Sequence, residues 1–153
     1  MAIIFFFQIF NNSSMILTPY EDTPWGYINM VKELFLKIGF TNIQMSTPEE
    51  HDKIIAFTSQ LAHVVSNAYV KSPNALIHKG FSAGSYKDLT RVAYLNENMW
   101  SELFLENRDN LINEIDSIVN NLVQYKLALE NNDRERLTEL LRDGKILKEK
   151  IDG

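Results

Sequence analysis

The chain contains no cysteine, which excludes disulfides, thiolate metal sites and thiol nucleophiles. Structure-breaking residues are also scarce. Its 153 positions hold 4 prolines and 6 glycines, far from a collagen-like or Pro/Gly-rich disordered composition. Positive charge is short as well, with 15 Lys and Arg against 20 Asp and Glu for a formal net charge of -5. A nucleic-acid surface needs clustered cations to displace counterions from phosphates, so no nucleic-acid partner is expected. No apolar run approaches the roughly 20 residues that cross a bilayer, so no membrane partner is expected either. The most apolar stretch, Ala2 to Phe10 (AIIFFFQIF), has no Lys or Arg before it and no small-residue cleavage site. It reads as a buried strand, or as an artefact of where the reading frame begins, rather than as a signal peptide, and something should cover it. Without a leader or a disulfide, a cytoplasmic location is expected.

What is present is an ordinary folded composition, 45% hydrophobic and 23% charged, sized for one domain or a domain with a fragment of another. Ser14 to Thr18 (SMILT) reads as a short strand ended by Pro19. Ile28, Val31, Leu34, Phe35 and Ile38 then recur at helical spacing, and Gly39 stands where a left-handed cap is wanted. Asn42 to Ser46 reads as a second strand. A strand, helix, strand unit of this size cannot bury itself and resembles the last piece of an α/β domain.

Thr47-Pro48-Glu49-Glu50 carries the signs of a helix start, with Thr47 as cap, Pro48 at the first helical position and Glu50 closing a capping box. Helical patterning continues almost to the end. One helix stops near Ser72-Pro73, another covers Tyr86 to Tyr94, and a long one begins beyond Asn96. Leu111, Ile115, Ile118, Leu122, Tyr125 and Leu129 are spaced four and three alternately, a heptad seam. A final helix from about Asp133 to Lys150 turns Leu137, Leu140, Leu141, Leu147 and Ile151 inward. The two long helices can pair within one chain or across a dimer. The expected fold is therefore mainly α: a remnant of a Rossmann-type α/β domain over residues 1–46, then a helical dimerisation and substrate-binding domain over 47–153.

Catalytic signatures are missing. There is no G-x-G-x-x-G, no P-loop and no H-E-x-x-H, and no metal site is expected. His51 sits beside Asp52, and His78 reads as a solvated loop residue. His63 follows Ser59 by four positions, so α-helical periodicity puts the two on one face with Gln60 beside them. His63 reads either as a hydrogen-bonded structural histidine or as a site residue. No nucleophile elbow accompanies Ser59, which argues against a serine hydrolase. Arg91 lies among Leu89, Val92 and Ala93, with Asp88 three positions back. It either pairs with Asp88 or offers its planar fork to a carboxylate. Trp100 reads as core filler or as the wall of a small-molecule pocket.

Taken in order, Leu17-Thr18-Pro19, Thr47 to Asp52 (TPEEHD), Thr58 to His63 (TSQLAH), Gly84 to Ala93 (GSYKDLTRVA), Met99-Trp100 and Asn107-Arg108 resemble prephenate dehydrogenases in spacing over about residues 9–153. The resemblance implies oxidative decarboxylation of prephenate to 4-hydroxyphenylpyruvate, on the route to tyrosine, with NAD or NADP bound by an amino-terminal Rossmann-type domain and a homodimer formed by the helical one. It implies that Arg91 grips a substrate carboxylate and that Ser59 and Gln60 face substrate and cofactor, with Gln60 replacing a His common in relatives. It also implies that His63 lies near the pocket, that Gly84 lets backbone approach the substrate, and that Trp100 reaches the site of the dimer partner. The family's catalytic His and glycine-rich fingerprint have no counterpart in these residues, so no catalytic residue is assigned, and little or no turnover or tight cofactor binding is expected of this chain alone. The alternatives are arogenate as substrate and a non-catalytic helical interaction module.

Overall fold

The computed structural model describes Phe10 and residues 12–152. Most of the apolar amino-terminal run thus lies outside the described residues. Phe10 itself stacks on Phe40, ring centroids 4.4 Å apart. The contacts divide the chain into two compact units, residues 1–60 and 61–153.

In the first unit, β1 (Ser14–Leu17) and β2 (Asn42–Met45) pair in parallel, Ser14 against Asn42 and Leu17 against Met45. They are joined by helix α1 (Trp25–Lys37). Both strands alternate, so Met15, Leu17, Ile43 and Met45 are half-buried while Ser14, Ile16, Asn42 and Gln44 are exposed. Parallel strands flanked by helices on both sides are normally apolar on both faces. Here one face is dressed with polar groups, the Asn42 amide donating to the Ser14 hydroxyl at 3.2 Å.

Gly39 performs as its position suggests. Its φ of +109° sets a paired helix ending in which the Phe40 N–H reaches the Phe35 carbonyl at 3.1 Å and the Gly39 N–H reaches Leu36 at 3.2 Å. The Phe35 and Phe40 rings meet edge to face at 5.5 Å, the apolar contact that accompanies this cap. On α1 itself Ile28 is buried, whereas Trp25, Tyr27, Met30 and Leu34 are all exposed.

Helix α2 (Pro48–Ile55) starts where expected, the Glu50 N–H donating to Thr47 Oγ1 at 3.1 Å. The capping box is only half formed: the Glu50 carboxylate accepts from the Ser46 hydroxyl at 2.9 Å. The helix then passes through a π turn, Ala56–Leu61, into α3 (Ala62–Tyr69).

In the second unit, a 3-10 turn (Pro73–Leu76) and a loop lead from α3 to α4 (Gly84–Thr90), which packs back on α3. The long helix read beyond Asn96 is two helices, α5 (Glu97–Glu106) and α6 (Arg108–Glu130), broken at Asn107 with φ −110° and ψ 29°. Asn107 Oδ1 accepts from the Asn110 side chain at 2.8 Å, the local bonding by which Asn competes with helix continuation. Helix α6 ends in a second paired cap centred on Asn132, φ +52°, with the Asp133 N–H on the Ala128 carbonyl at 2.8 Å. Asp133 in turn caps α7 (Arg134–Asp152) by accepting from the Arg136 N–H at 2.9 Å.

The two long helices therefore pair within the chain as a hairpin, Tyr125 Oη donating to the Leu140 carbonyl at 3.2 Å. The pairing is partial. Leu137 and Leu140 are half-buried, but Leu141, Leu147 and Ile151, read as inward, are exposed.

Candidate functional site

The unit boundary falls after Gln60, so the candidate residues are divided: Ser59 and Gln60 belong to the first unit, and His63, Gly84, Arg91 and Trp100 to the second. Ser59 and Gln60 lie in the π turn, a wider helical turn that collects at functional sites. Its sequence, AFTSQL, contains no Gly or Pro that would announce it. The i,i+4 inference for Ser59 and His63 assumed α-helical periodicity, which the π turn interrupts. Ser59 is half-buried and Gln60 only 5% exposed. Both are engaged in interactions, as a buried amide must be.

His63 and Trp100 are brought together. Their rings stack with centroids 3.8 Å apart and planes 28° from parallel, and Trp100 leans on Phe104 at 5.4 Å. The Asn96 side chain sets the start of α5, accepting from the N–H groups of Asn98 and Met99, both at 3.1 Å. That cap holds the first turn from which Trp100 projects. Trp100 is thus half-buried against an imidazole rather than enclosed by aliphatic core.

Arg91 immediately follows the last residue of α4 and is exposed. Among the described residues it enters no ion pair. The Asp88 pair that local sequence favours is not formed, and the guanidinium fork is left to solvent or to an external anion. Gly84 opens the same helix. A Cβ there would meet nothing within 4 Å among the described residues.

Two features escaped the sequence reading. His78 is half-buried, its Nδ1 3.0 Å from Ser82 Oγ and its ring stacked on Tyr86 at 4.3 Å. With Tyr69, Ser72, Asn74 and Ala75 these rings line a cavity of about 240 Å³. The Ser72-Pro73 turn, which folds the loop back toward α4, is the one sequence signal for it. The other feature is Ser66, 1% exposed, whose hydroxyl has no hydrogen-bond partner among the described residues. His51 keeps the neighbour expected of it, Asp52 at 3.0 Å.

No group of three His, Asp or Glu residues among those described is placed to hold a metal ion, and no described helix is long and apolar enough to cross a membrane. The turn from β1 into α1 carries Glu21 and Asp22 and none of the glycines of a dinucleotide-binding turn.

The family profile described as "Prephenate dehydrogenase, dimerization domain" matches residues 47–143. The cyclohexadienyl dehydrogenase of Zymomonas mobilis is 30% identical over 145 residues, covering 90% of this chain and 49% of that protein. The prephenate dehydrogenase of Bacillus subtilis is 29% identical over 142 residues, 90% of this chain and 38% of that one. The chain thus spans half or less of these curated relatives. Among solved structures, prephenate dehydrogenase from Aquifex aeolicus, in complex with hydroxyphenyl propionate and NAD+, superposes with a TM-score of 0.76 at 30% identity, over 92% of this chain and 51% of that one. Synechocystis arogenate dehydrogenase shares the fold, with a TM-score of 0.75 at 23% identity over 93% of this chain and 53% of that one.

Proposed function

Because the chain belongs to the prephenate dehydrogenase family, we propose that it carries the substrate-binding and dimer-forming side of an enzyme that oxidatively decarboxylates prephenate to 4-hydroxyphenylpyruvate. NAD or NADP accepts the hydride in that reaction, and the A. aeolicus relative was solved with NAD+. The observation that carries the reading is Arg91, exposed and without an acidic partner among the described residues. Prephenate is a dianion, and a guanidinium fork that its own chain leaves unneutralised suits a carboxylate in bidentate fashion.

The other candidates take supporting parts. Gly84 lets substrate approach the start of α4, and the His63–Trp100 stack offers a flat aromatic wall to a six-membered ring. Ser59 and Gln60 supply hydroxyl and amide groups for substrate and cofactor. The family's catalytic His has no counterpart by resemblance among these residues, and the glycine-rich turn is not among these 153 residues. The chain alone is therefore expected to bind and dimerise without turnover.

Calorimetry with 4-hydroxyphenylpyruvate tests the reading. Arg91→Ala should weaken binding at least tenfold, about 1.4 kcal/mol. Unchanged affinity would instead favour a helical interaction module without chemistry, a reading supported by the apolar side chains left exposed on α6 and α7. Competition between prephenate and arogenate, which differ in an amino group, separates those two substrates.

A further inference from the structure

Helix α4 is short for an element that must place a charge. It has seven residues, none of them buried, and no side-chain hydrogen bond at its Ala83 cap among the described residues. A helix of this length does not hold itself together, so its position is set by what packs on it. Its one aromatic residue, Tyr86, meets two rings from outside the helix. Tyr69 of α3 stands 6.1 Å away and tilted by 53°. His78 of the preceding loop is closer and flatter, at 4.3 Å and 28°.

The loop is folded so as to deliver that imidazole. The Ser72 hydroxyl accepts from the Asn74 N–H at 3.3 Å and starts the 3-10 turn, which the Ile77 N–H closes on the Asn74 carbonyl at 3.2 Å. His78 then opens a tight turn in which the Phe81 N–H reaches the His78 carbonyl at 3.0 Å. Gly80, third in that turn, has φ +88°, the conformation that a type II turn requires there and that glycine adopts without strain. The reversal brings Ser82 back until its Oγ stands 3.0 Å from His78 Nδ1. One imidazole is thus tied both to the residue before the Ala83 cap and to the first turn of α4.

From Tyr86 the connection runs on to Arg91. The Thr90 hydroxyl donates to the Tyr86 carbonyl at 2.8 Å, and the Ala93 N–H closes on the Thr90 carbonyl at 3.0 Å, which brackets Arg91 between them. A planar guanidinium fork takes a carboxylate in bidentate fashion only when the backbone that carries it is correctly aimed. We propose that His78 is a positioning residue for the site: its stack on Tyr86 and its hydrogen bond with Ser82 hold α4 in the orientation that aims Arg91 at a substrate carboxylate. This rests on the reading of Arg91 as the carboxylate-binding group and goes further by naming what aims it. His78 acts through α4 rather than on the substrate.

A double-mutant cycle tests this, with 4-hydroxyphenylpyruvate binding to the whole chain measured by calorimetry and folding checked by circular dichroism. His78→Ala should weaken binding roughly tenfold, because a small misplacement of a binding group is enough for such a loss. His78→Phe keeps the stack and gives up the hydrogen bond with Ser82, so it should recover part of the affinity. In the Arg91→Ala background His78→Ala should cost less than about twofold more, since the group it aims is gone. An equal loss in both backgrounds makes the effect of His78 independent of Arg91 and overturns the proposal. A folded His78→Ala chain that binds like the parent, while Arg91→Ala binds weakly, overturns it too and leaves the reading of Arg91 intact. Arg91→Ala binding like the parent overturns that reading, and the positioning role falls with it. Should His78→Ala fail to fold, His78→Phe takes its place in the cycle and is judged in the same way.

Discussion

At the scale of single residues the chain contains two polar groups in opposite predicaments. Among the described residues Arg91 is a charge in water with no acidic partner, while Ser66 is a hydroxyl out of water with no hydrogen bond. An unpaired buried hydroxyl costs about 1 to 3 kcal/mol. Ser66→Ala removes that cost for the loss of one oxygen, and is expected to raise stability by about 1 kcal/mol in urea unfolding. A decrease would mean that the hydroxyl has a partner in solution. For Arg91 the informative change is Arg91→Lys, which keeps the charge and loses the planar fork. It should recover only part of the affinity lost in Arg91→Ala. Full recovery would show that charge alone, and not bidentate geometry, does the binding.

At the scale of elements, helix ends were the most legible features in the sequence. Thr47 and Gly39 each do what their residue type and position suggest, because a capping oxygen and a positive φ are local requirements met by a few side chains. Thr47→Ala should cost about 1 kcal/mol, read as a lower unfolding midpoint. Gly144 offers the converse test. It lies in the interior of α7 with nothing within 4 Å of an added Cβ, so Gly144→Ala should stabilise by about 1 kcal/mol. If it destabilises, something approaches that point of α7 closely in the assembled protein. The break at Asn107, the asparagine cap at Asn132 and the π turn were not legible. Asn is common inside sequences that stay helical, and AFTSQL has no residue that forbids an α-helix. These features are settled by packing rather than by local propensity.

At the scale of the whole molecule, patterning located apolar faces without saying what covers them. The seam through Leu111, Ile118 and Tyr125 is occupied within the chain, whereas Leu122 and Leu129 of the same seam are not. Periodicity records that a face is apolar and cannot distinguish a neighbouring helix from a second copy. The candidate site shows the same division. The His63–Trp100 stack joins residues 37 positions apart, a pairing that no spacing rule foretells, whereas the resemblance implied that His63 lies near the pocket and that Trp100 reaches the site of the dimer partner. The chain also spans half or less of the curated relatives described above, and its sequence contains no G-x-G-x-x-G turn. Purified alone, it should show no prephenate-dependent reduction of NAD or NADP in a spectrophotometric assay, while sedimenting as a dimer. Turnover near that of its relatives would contradict the division of labour proposed for it.

The hairpin of α6 and α7 bears on the order of events in folding. Its tie from Tyr125 to Leu140 spans only 15 positions, and its turn is set by the Asn132 and Asp133 caps. Little chain entropy is lost in closing so short a loop, and contacts this local form on microsecond to millisecond timescales. The hairpin can therefore present the apolar side of α6 before distant parts of the sequence have docked. Two chains that meet at this stage would join through a surface already shaped. Refolding would then show a concentration-dependent phase following a fast, concentration-independent gain of helix.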